Sequence, residues 1–204
     1  MATHFYRPAE GHRLRHDPFN AIVAPRPIGW ISSLSADGVR TVAPYSFFNA
    51  FNYHPPLVGF SSTGYKHSVR NIAETREFTW NLVGRAQAEA MNATSASVGP
   101  EVDEFELAGL RGIPSGDVGP DRVAGAPVSF ECVLTQQVRL SDRRGAAVDA
   151  WLTLGEVVAV HIDEELLVDG VYDTARAEPV LRGGGPSAYF AVTAEQRFDM
   201  VRPA

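Results

Sequence analysis

Strand-like alternation of apolar and polar positions dominates this chain. Between Pro25 and Ser62, the run PRPIGWISSLSADGVRTVAPYSFFNAFNYHPPLVGFSS holds two such stretches, a compact polar and aromatic segment, and a third apolar stretch. Ile28, Trp30 and Leu34 alternate with smaller or polar residues, the spacing of a half-buried strand. Ala36-Asp37-Gly38 supplies a turn and Arg40 to Ala43 the returning strand. Pro44 is expected to end that strand, because proline has no N–H to give to a ladder. Pro44-Tyr45-Ser46-Phe47-Phe48-Asn49 then sets hydroxyls, an amide and three aromatic rings side by side. We expect a tight loop here, suited to a flat heteroaromatic ligand whose edge meets polar groups and whose face meets apolar ones.

Further along, Val69, Ile72 and Ala73 fall at helical spacing with Ser68 as the expected N-cap. Phe78 to Val83 alternates as a strand, Ala86 to Met91 is rich in helix formers, and Asn92 to Ser95 favours caps and turns. From 97 to 127 the chain is dense in Gly and Pro around the acidic piece Val102-Asp103-Glu104-Phe105-Glu106. So long an irregular stretch suits a lid over a site or an arm packed on a partner. Val128 to Leu140 returns to strand patterning, Ser141 to Gly145 reads as a hairpin turn, and Trp151 to Ile162 is the longest β-like run. Gly155 inside that run implies a bulge or sharp bend. Many short strands, few helices and no repeated βαβ pattern predict a closed antiparallel Greek-key barrel.

Composition narrows the function classes. With 204 residues the chain suits one domain, with residues 1–17 as an N-terminal arm. A formal charge of −6 argues against nucleic acid or an anionic membrane as the main partner. No apolar run is long enough to span a bilayer, and the N-terminus lacks a signal-peptide core. Cys132 is the only cysteine, which excludes an internal disulfide and suits a reducing cytoplasm. Its apolar neighbours Phe130, Val133 and Leu134 mark it as a buried structural thiol.

Familiar catalytic arrangements are poorly represented. No GxSxG elbow surrounds any serine, and His161 beside Asp163 is better placed at a strand end than in a triad. His12 and His16 are four apart, but no HExxH or cysteine cluster accompanies them, so no metal site is expected. Gly183, Gly185 and Ala188 satisfy GxGxxA only nominally, since Pro186 interrupts any following helix. The start of the helix after Lys66 is more informative. Unpaired N–H groups, a positive dipole end and the lysine charge together favour a phosphate. Read alone, the same residues also make an ordinary capped surface helix.

The strings PRPIGWIS, APYSFFNA, PPLVGFSS, KHSVRNI, EFTWNLV and EAMNATS, in this order, resemble the flavin reductase-like family of FMN-binding split barrels, which includes flavoredoxin-like proteins. The resemblance runs from about Phe19 to about Gly183. It implies a mainly β split barrel with a few short helices, binding FMN or FAD and taking hydride from NADH or NADPH, a transfer that needs no protein acid or base. It makes Ser61, Ser62, Lys66 and Ser68 the expected phosphate cradle. Ser32, Ser33 and the stretch Pro44, Tyr45, Ser46, Phe47 and Asn49, chiefly through its backbone, would meet the isoalloxazine edge, with Trp30 or Phe47 packing on it; each of these two rings reads equally well as core. His161 and Tyr189 would wall the nicotinamide side. A homodimer follows, with residues 97–127 across its interface, and a monooxygenase or other redox protein as the electron-receiving partner. A bound-FMN electron carrier and a non-catalytic flavin store or sensor are the rival readings. Pyridoxamine-phosphate oxidase chemistry shares the fold, but the PRPIGW and PYSFFN strings favour the reductase branch.

Overall fold

The computed structural model describes residues 1–203. After α1 (Phe19–Ile22) come β1 (Arg26–Pro27), β2 (Gly29–Leu34), β3 (Arg40–Tyr45), β4 (Phe48–Asn52) and β5 (Leu57–Thr63). Helix α2 (His67–Thr75) leads to β6 (Glu77–Asn81), α3 (Ala88–Ala93), α4 (Glu104–Leu107), β7 (Gly112–Ile113) and β8 (Arg122–Val123). The long strands β9 (Val128–Ser141) and β10 (Ala147–Ile162) follow, then β11 (Leu167–Val168), β12 (Val171–Tyr172), β13 (Val180–Arg182) and β14 (Tyr189–Ala191).

Seven strands make one antiparallel sheet in the order β3-β2-β6-β9-β10-β5-β4. Its edge strands, β3 and β4, are separated in the chain by only Ser46 and Phe47. In a flat sheet six inter-strand spacings would hold those edges roughly 29 Å apart, whereas the three peptide steps from Tyr45 to Phe48 reach about 11 Å. The sheet therefore rolls until its edges meet. At the closing corner the Ser61 N–H donates to the Phe47 carbonyl at 2.8 Å, but no ladder joins β3 to β4. The result is the split barrel that the resemblance implies and not the fully closed barrel expected from the strand pattern, because β3 and β4 meet only at the corner.

Two expectations about this region change. The strand does not stop at Pro44: β3 runs through it to Tyr45, with Pro44 opposite Trp30. An edge strand has N–H groups without ladder partners, so a proline costs it little. The PYSFFN segment is accordingly strand, two-residue corner and strand rather than a loop.

Successive residues of β2 face opposite sides, and each side has its own core. Inside the barrel Ile31 packs with Tyr45, Phe48, Phe60, Phe78, Trp80 and Cys132, and α2 contributes Val69 and Ile72. Phe48 stacks on Trp80 with ring centroids 5.3 Å apart. Outside, Trp30 and Val42 pack with Val83, Met91, Phe105, Val123 and Val180. Phe105 and Val123 belong to the Gly- and Pro-rich segment, which in this chain covers the outer face of β2 and β3. Arg40 ties it down, bonding Asp103 at 2.7 Å and Asp121 at 3.3 Å. The β9–β10 register shifts at Leu154/Gly155, the predicted bulge, and a side chain at Gly155 would run into the Phe78 ring. Burial raises the pKa of the Cys132 thiol well above its usual range, so it is an inert core group.

Candidate functional site

A cavity of about 420 Å³ opens between β3, the first turn of α2 and the chain leaving α3. Pro44 and Tyr45 supply one wall, Tyr65 to Ser68 the second, Thr94 to Val98 the third, and Glu104 of α4 reaches in beside them. Helix α2 begins at His67 with Lys66 as its extended N-cap residue, and no side chain caps it. Ser68, the expected N-cap, instead lies inside the first turn and is buried. The first-turn N–H groups thus combine with the Lys66 charge at one end of the cavity, an arrangement that favours an anion.

Polar groups near this end are ordered from behind. The Tyr45 phenol lies beside the hydroxyls of Ser68 and Ser62; burial raises its pKa more than those hydroxyls lower it, so it is a neutral hydroxyl at physiological pH. Ser62 donates to the Gly64 carbonyl at 2.9 Å, fixing the turn into Lys66, where Gly64 adopts φ 88°. Trp30 Nε1 donates to Thr94 Oγ1 at 3.0 Å, and Thr94 passes a hydrogen bond to the Met91 carbonyl at 2.7 Å. Glu104 sits on a helix capped by Asp103, whose Oδ1 accepts from the N–H groups of Phe105 and Glu106. The Val42 N–H donates to Glu104 Oε2 at 2.7 Å. Burial, reinforced by the Asp103 charge, outweighs that bond and pushes the Glu104 carboxyl up to about 7.

The residues expected at a flavin site fall into four groups. Pro44, Tyr45, Lys66 and Ser68 line the cavity, with Ser62 directly behind Tyr45. Ser46, Phe47, Asn49 and Ser61 continue along the barrel corner, partly or fully exposed, with Phe47 beneath the Arg26 guanidinium. Trp30, Ser32 and Ser33 are buried away from it. Trp30 serves as a strut for Thr94, Ser33 bonds Thr41 at 2.6 Å beside Asn71 of α2, and the Ser32 hydroxyl has no partner among the described residues. Their strand lies between the two cores, so their side chains are enclosed on both faces.

His161 and Tyr189 form the fourth group and lie in two other grooves. His161 Nε2 is 2.6 Å from Oε1 of the fully buried Glu131, which also accepts from the Gly116 and Asp117 N–H groups. Tyr189 lies under the Arg182 guanidinium at 4.8 Å, and Arg182 bonds the carbonyls of Gly185, Pro186 and Ala188. The triple glycine thus wraps around an arginine, and a side chain at Gly184 would collide with Ala21 of α1. Neither groove includes a residue of the Lys66 cavity.

The sequence reading missed Tyr65, His67, Ala96 to Val98 and Glu104 as cavity walls. The EAMNATS string marked the neighbourhood of Thr94 and Ser95, but their part in the cavity depends on α3 packing against β3. Nothing local sets Glu104 apart from the other carboxylates of its acidic run.

Fold and sequence agree on the class. The flavin reductase like domain matches residues 23–180, and the chain belongs to that family. A protein of Aquifex aeolicus is 35% identical over 170 residues, covering 80% of this chain and 83% of that one. Nitrilotriacetate monooxygenase component B from Bacillus cereus superposes with a TM-score of 0.87 at 28% identity, covering 98% of this chain and 100% of its own. The 2-nitrobenzoate 2-nitroreductase of Pseudomonas fluorescens gives 0.84 at 28%, covering 98% and 96%.

Proposed function

We propose that this protein is an FMN-binding flavin reductase that takes hydride from NADH or NADPH and passes reducing equivalents to a monooxygenase component or another acceptor. The observation that carries this reading is the convergence of Lys66, the uncapped start of α2 and the neutral Tyr45 and Ser68 hydroxyls on one cavity in a chain of this family. Those donors fit a phosphomonoester: a full positive charge, free main-chain N–H groups and hydroxyls without a competing permanent negative charge. FAD, which would present a pyrophosphate in place of the phosphomonoester, is the alternative ligand.

When bound, FMN would supply the hydride-accepting chemistry, and the chain would supply binding and orientation. Lys66 and the first turn of α2 hold the phosphate end. Ser46, Phe47, Asn49 and Ser61 on the adjoining corner are placed to meet the ring system. Trp30 acts one layer back, holding Thr94 in the cavity wall. Val158, Val160 and Ile162 of β10 are 44%, 52% and 38% exposed, an apolar strip that a second copy of the chain would cover. We therefore infer a homodimer in the cytoplasm, where a single buried thiol needs no oxidised partner. The relation to a monooxygenase component B supports a monooxygenase as the electron-receiving partner.

An anaerobic visible spectrum with added FMN, recorded before and after NADH and then NADPH, tests this reading. Perturbed flavin bands that bleach far faster than free FMN are expected. Perturbed bands that persist with both nucleotides would make the protein a flavin carrier, and unperturbed bands would remove the flavin.

A further inference from the structure

Among the described residues Glu104 is the one carboxylate in the cavity wall, and it is 6% exposed. One of its oxygens is committed to the Val42 N–H, while no hydrogen bond reaches Oε1 among the described residues. Its position is imposed from both sides. Asp103 caps its helix and is itself held by Arg40, which also stacks its guanidinium 5.3 Å from the Phe105 ring centre. The backbone of Glu104 is thus held in place, and the Val42 N–H holds its carboxylate against the cavity wall. We propose that Glu104 is a specificity residue that couples binding of a phosphomonoester to uptake of one proton: protonated, its free oxygen donates to the ligand's phosphate, and ionised, it repels the dianion. This rests on the phosphate assignment made above.

Burial already holds the Glu104 proton near neutrality, so a small change in its surroundings switches it. The charges facing it are few. Asp103 precedes it as the cap of α4, with Arg40 of β3 paired to Asp103; Glu106 lies two residues on and 3.9 Å from Arg40. Tyr45 faces it from β3 and is neutral; Lys66 and His67 face it from the start of α2, and Ala96 to Val98 add no charge. A phosphate dianion brought beside Glu104 would hold the proton on it to higher pH. The proton comes from solvent and returns to it when the ligand leaves, and no bond other than O–H is made or broken. Affinity for the phosphorylated flavin would then fall as pH rises through the free-protein titration, and affinity for a flavin without phosphate would not.

The test is titration of the full chain with FMN and with riboflavin, followed by flavin fluorescence, from pH 7.2 to 9.0. Over that range the ligand phosphate, with its second pKa near 6, stays a dianion. FMN affinity is expected to fall about tenfold, riboflavin affinity to stay flat, and Glu104→Gln to abolish the slope while His67→Gln retains it. Calorimetry of the unmodified protein at pH 7.5 in two buffers of different ionisation heat should show more than about half a proton taken up per FMN and none per riboflavin; this arm does not depend on the variant folding. A wild-type slope that is absent, that is shared by riboflavin or that survives Glu104→Gln would overturn the role of Glu104 and leave the phosphate site standing. Failure to bind FMN at any pH would instead remove the flavin reading itself.

Discussion

Replacing Lys66 by Ala tests the anion-binding end of the cavity directly. Lys66 is exposed, so its side chain can be cut back without opening the core. A hydrogen bond to a charged group contributes about 1.5–3 kcal/mol, and solvent screening at an exposed site reduces that to about 1–2 kcal/mol. At 1.4 kcal/mol per factor of ten, the FMN dissociation constant should rise by about 5- to 30-fold. The main-chain N–H groups of α2 remain in the variant, so binding should weaken without vanishing. Adding Ser68→Ala removes a hydroxyl beside Tyr45 and should deepen the loss. Riboflavin has no phosphate and should bind both variants nearly as well as the parent. The assay is quenching of flavin fluorescence at fixed ionic strength, with far-UV circular dichroism to verify the barrel. Equal losses for FMN and riboflavin, or no loss for either, would refute the assignment of phosphate to this end.

Three further outcomes follow from the packing. Trp30→Phe keeps the ring in the outer core but removes the bond to Thr94; urea unfolding should show a loss of about 1–2 kcal/mol, and FMN affinity should fall because the Thr94 wall loosens. Gly155→Ala forces a methyl group against the Phe78 ring and should cost about 1–3 kcal/mol, read as a lower urea midpoint with an unchanged slope. For Glu131, burial alone would raise the pKa, but the Gly116 and Asp117 N–H groups and His161 outweigh it, so the folded-state pKa lies below the ordinary value. Its contribution is therefore present above the unfolded carboxylate pKa and lost as pH falls through the lower folded value. Glu131→Gln should destabilise the protein at pH 7 by about 2–4 kcal/mol, with the gap to wild type narrowing on acidification; a gap constant down to pH 3 would contradict this.

The elements near the site were legible to different degrees. Period-two alternation marked β2, β6, β9 and β10, because a strand with two unlike faces writes that difference into every second residue. Gly155 announced its bulge, since only a residue without a side chain fits against Phe78. From sequence the corner at Ser46 and Phe47 reads as a loop, because proline ends a central strand but not an edge strand, and being at an edge is a property of the whole sheet. Trp30 illustrates a second limit. Its place in a family string is visible, but whether its indole meets a ligand or braces Thr94 depends on which side of β2 α3 covers.

By itself the sequence determined the β-rich architecture, the family, and the meeting of Lys66 with a helix start. These are local or one-dimensional properties: side-chain alternation, turn chemistry and the order of short strings. Only the tertiary structure decided that β3 and β4 are the two edges of a rolled sheet, that Pro44 and Tyr45 stand across a cavity from α2, and that Glu104, sixty-two positions from Val42, takes that residue's N–H and lines the same cavity. Those relations are set by how the sheet closes and by which carboxylate loses water, and neither quantity is encoded in the spacing of residues along a chain.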